Sequence, residues 1–215
     1  MRPLAVLRPE PGAGRTAARA SALGLEVRLI PLFTIEPLQW DAPEPAQFDA
    51  LILTSANAVR HGGPELDKLK SLPVQAVGEA TAAAAQEAGF AIASVGEGGG
   101  RDLRLPDGQR ALHLTGRDHV GLDADMTIAI YEARQVEAPA GVERLDGCVV
   151  AVHSPRAGRR LAELVADRSR IAVAAISEAA AQACGSGWEK VAAAPQPTDD
   201  ALLALAARLC ESPRP

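Results

Sequence analysis

The segment LILTSANAVR (51–60) has a counterpart in VAVHSPRAGR (150–159), at an offset of 99 residues. The same offset aligns AVGEATA (76–82) with AISEAAA (175–181). In each copy an apolar strand pattern ends at a polar or glycine turn, a helical pattern follows, and a second strand comes next. A chance alignment of alanine-rich helices is the alternative, but it does not account for the fixed spacing. The sequence therefore predicts two similar α/β lobes.

Short apolar runs alternate with Ala/Leu-rich stretches along the rest of the chain. The predicted strands are residues 4–7, 26–31, 50–54, 74–77, 91–95, 111–115, 127–131, 149–153, 171–176 and 190–194. The predicted helices are residues 14–23, 56–69, 80–88, 156–166, 179–184 and 200–209. Strand–helix alternation with short connections is typical of parallel sheets built from crossover units. We therefore predict the α/β fold class.

Proline and glycine mark two boundaries between the copies. Pro31, Pro37, Pro43 and Pro45 precede the first copy, and Pro139-Ala140-Gly141 precedes the second. Proline and glycine are common in the turns and loops that separate structural elements. We predict a discontinuous domain 1 from residues 1–35 and 138–215, and an inserted domain 2 from residues 42–126. Residues 36–41 and 127–137 are predicted to be linker strands.

Composition excludes several classes of function. The net charge is −5 and only six residues are aromatic, which argues against nucleic-acid binding because that requires basic faces and stacking platforms. The three cysteines are widely spaced, which favours buried thiols in a reducing cytoplasm over disulfides or zinc. No apolar run reaches the ~18 residues of a membrane helix. We expect a cytoplasmic monomer without nucleic-acid or membrane partners.

The candidate site follows from the strand ends. Ligands of open α/β sheets bind beyond the carboxyl ends of the strands, and helix N-termini there carry partial positive charge. Four such turns are predicted to face a cleft between the lobes and to bind a polyanion; they are Thr54-Ser55-Ala56, Gly78-Glu79-Ala80-Thr81, Ser154-Pro155 and Ser177-Glu178. The alternative for each turn is ordinary N-capping, worth ~1 kcal/mol.

Other motifs give weaker signals. The run GEGGG (96–100) lacks the frame of a nucleotide loop, and the four histidines lack metal-ligand spacing. Arg117, after Gly116, either reaches the cleft or is a solvated surface residue. Tyr131, the single tyrosine, is either a packing residue or a proton donor to a leaving hydroxyl.

Taken in order, several segments resemble the uroporphyrinogen-III synthase family over nearly the whole chain. They are LRP (7–9), IPL (30–32), LTSANAVR (53–60), AVGEATA (76–82), LTGR (114–117), IYEAR (130–134) and PT (197–198) with Ala201-Leu202. The resemblance implies two α/β lobes joined by a two-stranded β ladder. It also implies the reaction, in which linear hydroxymethylbilane loses water and closes to uroporphyrinogen III with inversion of ring D, without a metal or organic cofactor.

The resemblance also implies roles for individual residues. Tyr131 matches the family tyrosine proposed to assist departure of the hydroxyl. Thr54, Ser55, Gly78, Thr81 and Ser154 match family positions at the cleft, and Arg117 lies where the family has a polar cleft loop. We also predict that the neighbouring strand-end residues bind substrate, namely Arg8, Ala56, Glu79, Ala80, Gly116 and Ser177. The chain departs from the family at Ala179-Ala180, where relatives carry a threonine, and between residues 117 and 127, which are too few for the usual helix. These departures leave a non-catalytic, two-lobed module that binds a small polyanion as the alternative.

Overall fold

The computed structural model describes residues 1–96, 108–118 and 121–211. Within them the chain divides into two compact units, residues 1–34 with 135–215, and residues 35–134. Each unit contains its own sheet and its own apolar core. None of the helices in these ranges combines the length and apolar character needed to cross a bilayer.

The first unit contains a five-stranded parallel sheet in the order β11-β10-β9-β1-β2. Its elements are β1 (Leu4–Val6), α1 (Gly12–Ala22), β2 (Val27–Leu29), β9 (Val149–Val152), α5 (Pro155–Leu164), β10 (Ala172–Ala175), α6 (Glu178–Ala183), β11 (Lys190–Ala193) and α7 (Asp199–Glu211). The central strands β1, β9 and β10 are wholly buried, as expected for apolar strands covered on both faces.

The second unit contains a six-stranded sheet in the order β3-β8-β7-β4-β5-β6. Its elements are β3 (Phe33–Pro37), β4 (Ala50–Leu53), α2 (Ala56–His61), α3 (Gly63–Asp67), β5 (Val74–Val77), α4 (Glu79–Glu87), β6 (Ile92–Gly96), β7 (Ala111–Gly116) and β8 (Met126–Gln135). The strands from β8 to β6 all run parallel. The boundaries between the two units fall within β3 and β8.

The predicted α/β class is confirmed, and the repeat is visible in the element boundaries. Strands β4 and β9 begin 99 residues apart, as do helices α2 and α5, and helices α4 and α6. In both copies an apolar strand buried along its whole length is followed by a helix after a two-residue turn. The pairs therefore occupy equivalent places in their own sheets.

Two predicted elements differ from the structure. The single helix predicted over residues 56–69 is divided into α2 and α3, because Gly63 has φ +62° and Pro64 then starts a new helix. The first linker strand runs over Phe33–Pro37 instead of residues 36–41. Pro37 is the last residue of this edge strand, and the N–H of Leu38 still donates to the Ile130 carbonyl of β8 at 2.9 Å.

Two sequence interpretations concern segments that the structure describes only in part. Residues 97–100 of the glycine-rich run and His119 lie outside the described residues. In the short segment after Arg117, the described residues 121–125 form no helix. This agrees with the prediction that too few residues are present there.

Arg2 is a buried cation that ties the amino terminus to the base of the first unit's sheet. Its side chain is 5% exposed and forms an ion pair with Glu189 at 2.7 Å. It also donates to the carbonyl oxygens of Gly147 (3.0 Å), Cys148 (2.9 Å) and Arg170 (3.1 Å). Gly147 and Cys148 precede β9, Arg170 precedes β10 and Glu189 precedes β11. One guanidinium thus binds carbonyl oxygens before two strands and a carboxylate before a third.

Replacement of Arg2 by methionine is expected to lower the free energy of unfolding by about 3 kcal/mol. The substitution leaves the Glu189 carboxylate and three carbonyl oxygens without their donor, which is the costly way to break a buried pair. Urea denaturation measures the change, with Arg28→Met as the matched control, because Arg28 lies partly exposed on the edge strand β2. Equal effects of the two substitutions would contradict the assignment.

Candidate functional site

The predicted residues of the second unit lie along one edge of its sheet. Because β8, β7, β4 and β5 are neighbours and parallel, their carboxyl ends follow one another along that edge. Tyr131 lies in β8 opposite Gly116, the last residue of β7, and Arg117 follows Gly116. Thr54-Ser55 follows β4, and Gly78 follows β5. The fold thus brings together residues separated by up to 77 positions in sequence.

The turn after β4 is fixed by hydrogen bonds of its own side chains. Ser55 is the N-cap of α2, and its hydroxyl accepts from the backbone N–H of Asn57 at 3.2 Å. The Thr54 hydroxyl lies 3.3 Å from Nε2 of His113, which is fully buried in β7. The capping interpretation therefore holds for Ser55, while Thr54 is oriented by a histidine that the sequence did not single out.

The turn after β5 lacks a side-chain cap. Gly78 is the N-cap of α4, with φ +80°, and contributes no side chain to the helix end. The N–H groups of Thr81 and Ala82 bond back to its carbonyl. Those of Glu79 and Ala80 come before them, at the positive end of the helix. Thr81 itself is buried, so little of its side chain lies on the surface.

A β-bulge shapes the surroundings of Tyr131. The register of β7 and β8 shifts between Thr115 and Gly116, and Gly116 then pairs with Tyr131. A Cβ atom on Gly116 would lie 2.7 Å from the Tyr131 ring, so only glycine leaves room for the phenol here. The N–H of Arg117 donates to the Tyr131 carbonyl at 2.9 Å. The exposed Arg117 guanidinium pairs with Glu132.

In the first unit the corresponding edge carries Ser177, Ser154 and Arg8, which follow the neighbouring strands β10, β9 and β1. Both serines are N-caps. Ser154 accepts from the N–H of Ala157 at 3.1 Å, and Ser177 accepts from the N–H of Ala180 at 3.3 Å. Their hydroxyls therefore stabilise α5 and α6, as the capping alternative predicts.

A single carboxylate, Asp199, organises the polar groups beside Arg8. It lies at the start of α7, with a side chain 17% exposed. It accepts from the Thr16 hydroxyl at 3.1 Å and from Nε2 of His153 at 2.9 Å. Since an ionised carboxylate only accepts, Nε2 of His153 is the donor in this hydrogen bond. Nη1 of Arg8 lies 3.6 Å away, and Arg8 donates to Thr16 at 3.3 Å.

Asp199 remains ionised in this environment. Burial opposes its charge, but the hydrogen bond and charge of His153, the Thr16 hydroxyl and the Arg8 charge hold the pKa of Asp199 below its ordinary value. Asp199 is thus the anion to which the Thr16 hydroxyl, Nε2 of His153 and the Arg8 guanidinium are directed. Its ionisation keeps the neighbouring donors in one arrangement.

The sequence did not identify Asp199, Thr16 and His153 as site residues. Thr16 and Asp199 are 183 residues apart in the chain, so no local pattern links them. The sequence excludes His153 as a metal ligand, because no second ligand residue lies at metal-binding spacing, and it indicates no other role for this histidine. The one available signal was its position immediately after an apolar strand, beside the predicted Ser154.

The fold and these strand-end residues define an α/β protein whose candidate site lies at the carboxyl edges of parallel sheets. The family model HEM4, uroporphyrinogen-III synthase HemD, matches residues 14–204. The chain belongs to the uroporphyrinogen-III synthase family, the cyclising lyases of haem biosynthesis. Comparison with curated protein sequences gave no match.

Solved structures of two uroporphyrinogen-III synthases share the fold of this chain. Uroporphyrinogen-III synthetase from Helicobacter pylori superposes with a TM-score of 0.67 at 21% identity, covering 97% of this chain and 100% of the other. A selenomethionine-labelled mutant uroporphyrinogen III synthase from Thermus thermophilus gives a TM-score of 0.50 at 17% identity, covering 97% and 98%. At sequence identities of 21% and 17%, these similarities show a shared fold.

Replacement of Asp199 by asparagine is expected to lower the free energy of unfolding by about 2 kcal/mol at pH 7, because charge-assisted hydrogen bonds are lost. A carboxyl group whose pKa is lower in the folded state stabilises the protein at pH values above its unfolded pKa, near 3.9. This stabilisation is lost as the pH falls through the pKa of the folded state. The difference between wild type and variant should therefore shrink below about pH 4.

Chemical denaturation at a series of pH values measures this difference. Asp200→Asn is the matched control, because Asp200 is the next residue of α7 and its side chain is 83% exposed. We expect the control to change stability by less than about 0.5 kcal/mol. A deficit of Asp199→Asn that is the same at pH 7 and pH 3 would contradict the role of the ionised carboxylate.

Proposed function

We propose that this chain catalyses the closure of hydroxymethylbilane to uroporphyrinogen III, with loss of water and inversion of ring D. The observation that carries the proposal is the family match over residues 14–204, which includes every predicted site residue except Arg8. The alternative of a non-catalytic polyanion-binding module is not favoured by this membership. Arg8 lies outside the matched residues, and its part in the site is supported by its position just beyond β1, the neighbour of β9.

The units correspond to two lobes in this proposal. Domain 1 comprises residues 1–35 and 138–215, domain 2 comprises residues 42–126, and the linking segments form a two-stranded β ladder. The division of contacts near residues 34 and 135, and the separate apolar cores, support this organisation. Strands β3 and β8 are hydrogen-bonded neighbours, which supports the ladder.

The substrate carries eight carboxylates, and the carboxyl edges of both sheets supply groups that suit them. At the second unit's edge, the uncapped turn at Gly78-Glu79-Ala80 offers backbone N–H groups, and Arg117 offers an exposed guanidinium. Thr54 and Ser55 add hydroxyls there. At the first unit's edge, Arg8, Ser154 and Ser177 are the corresponding groups. This arrangement lets an acidic protein bind a polyanion without a basic surface.

Binding both ends of the linear substrate promotes closure, because bringing the terminal rings together converts a flexible chain into a near-attack arrangement. Tyr131 is the proposed proton donor. Its phenol transfers a proton to the hydroxyl of the hydroxymethyl group as the C–O bond breaks, and water leaves. The resulting azafulvene is attacked by the terminal pyrrole to give the spiro-pyrrolenine, which fragments and recloses with ring D inverted. The proton released when the last pyrrole regains aromaticity restores the phenol.

Supplied with hydroxymethylbilane, the wild-type protein is expected to yield uroporphyrinogen III. Without catalysis the same substrate closes to isomer I, so chromatographic separation of the two oxidised isomers reports the activity directly. A product that consists of isomer I alone, at the rate of the protein-free reaction, would disprove the proposed enzyme.

Replacement of Tyr131 by phenylalanine is expected to lower kcat by about tenfold to a hundredfold, while some isomer III still forms. The larger of these factors equals the low end of the range for loss of one general acid. The aromatic ring and its packing are retained. Rapid-quench measurement of isomer III determines the effect. Thr127→Val, which removes an exposed hydroxyl from the same strand, is the control and should keep full activity.

A second variant tests the position of the phenol without removing it. Gly116→Ala adds a Cβ atom that would lie 2.7 Å from the Tyr131 ring, so the ring must move. We expect a kcat defect comparable with that of Tyr131→Phe. Gly121→Ala, where an added Cβ meets nothing within 4 Å, is the matched control. Full activity of both Tyr131→Phe and Gly116→Ala would remove Tyr131 from the mechanism.

A further inference from the structure

The Arg8 guanidinium is fixed on one side and has unused donors on the other. Its side chain is 32% exposed. Within the described part of the chain, its polar partners are the Thr16 hydroxyl at 3.3 Å and the Asp199 carboxylate at 3.6 Å, both reached from Nη1. A guanidinium has five N–H donors. The N–H groups of Nε and Nη2 therefore remain available for an acceptor from outside the protein.

Gly12 lies against one face of the Arg8 guanidinium, beside these two nitrogens. A Cβ atom on Gly12 would come within 2.4 Å of Nε, 2.7 Å of Cζ and 2.8 Å of Nη2 of Arg8. Any larger residue at this first position of α1 would push the guanidinium away. The absence of a side chain at Gly12 thus sets the position of the Nε–Nη2 side of Arg8.

Asp199 fixes the opposite side of the same group. It accepts from Thr16, which is fully buried, and Thr16 in turn accepts from Nη1 of Arg8. His153, with a side chain 8% exposed, holds the other oxygen of Asp199 at 2.9 Å. Arg8 is thereby held between a backbone surface at Gly12 and a hydrogen-bonded carboxylate at the start of α7.

We propose that Gly12 and Asp199 are positioning residues that hold Arg8 so that its Nε–H and Nη2–H bind one carboxylate of the substrate in a bidentate manner. Parallel N–H donors at this spacing match the two oxygens of a carboxylate. The inference deepens the proposed function and rests on it, since it assigns one substrate carboxylate to the carboxyl end of β1.

The first experiment compares Gly12→Ala with Gly14→Ala. Gly14 lies in the same helix, where an added Cβ would meet only the Glu10 carboxylate at 3.2 Å, so it is a matched control. We expect Gly12→Ala to raise KM for hydroxymethylbilane, and Kd for the octacarboxylate uroporphyrin III, by about tenfold. The kcat should stay within about twofold and Tm should not fall, because alanine favours a helix and the displaced atoms end a flexible side chain.

The second experiment is a double-mutant cycle of Arg8→Ala and Asp199→Asn, with Asp200→Asn as the control. If Asp199 acts through Arg8, each single variant weakens uroporphyrin III binding by about tenfold, and the double variant is no weaker than Arg8→Ala. Calorimetry gives Kd, and circular dichroism confirms that each variant is folded.

The outcomes separate this inference from the proposed function. Isomer III formation by the wild type, with Gly12→Ala equal to Gly14→Ala in KM and Kd, overturns the positioning roles alone. Additive effects in the cycle overturn the role of Asp199. Formation of isomer I alone by the wild type disproves the enzyme. The Kd comparison then still decides the carboxylate site: a tenfold loss in Gly12→Ala supports it, whereas equal affinities or a wild type that binds no uroporphyrin III overturn it.

Discussion

The pairing of β1 with β9 is the contact on which the first unit depends. Leu4 lies opposite Val149, so the amino-terminal strand finds its place only when residues 145 positions later are present. Arg2 stabilises the same end of the sheet by binding carbonyl oxygens that precede β9 and β10 and the carboxylate of Glu189, which precedes β11. The pairing also brings Arg8, just beyond β1, beside His153, just beyond β9. In the first unit, the core and the candidate-site residues are therefore assembled by one long-range strand contact.

Parallel strand order gives both units the same chemical design. Every strand in a parallel sheet ends at one edge, so turns that are distant in sequence become neighbours there. The serines at these turns cap helices, which means that their hydroxyls contribute to stability whether or not a ligand is present. Of the groups proposed to bind the substrate, the N–H groups of Glu79 and Ala80 and the Nε–Nη2 side of Arg8 make no hydrogen bond within the described part of the chain.

Glycines have a specific steric role at both candidate positions. Gly116 leaves room for the Tyr131 ring beside a β-bulge, and Gly12 leaves room for the Arg8 guanidinium at the start of a helix. Each absent Cβ therefore positions a different functional side chain. Neither glycine has a positive φ, so packing against a neighbour explains them and backbone strain does not.

The sequence by itself determined the α/β class, the repeat at 99 residues and the strand ends followed by Thr54 and Arg8, because apolar periodicity and turn residues are local signals. The strand predicted to end at Tyr131 continues to Gln135, so Tyr131 lies inside β8. It missed the break at Gly62-Gly63, since a helical pattern continues across it. Only the tertiary structure decided the partners of Arg8. Asp199 reaches Arg8 and the nearby Thr16 from the opposite end of the chain, and no short-range pattern records which turns a sheet brings together.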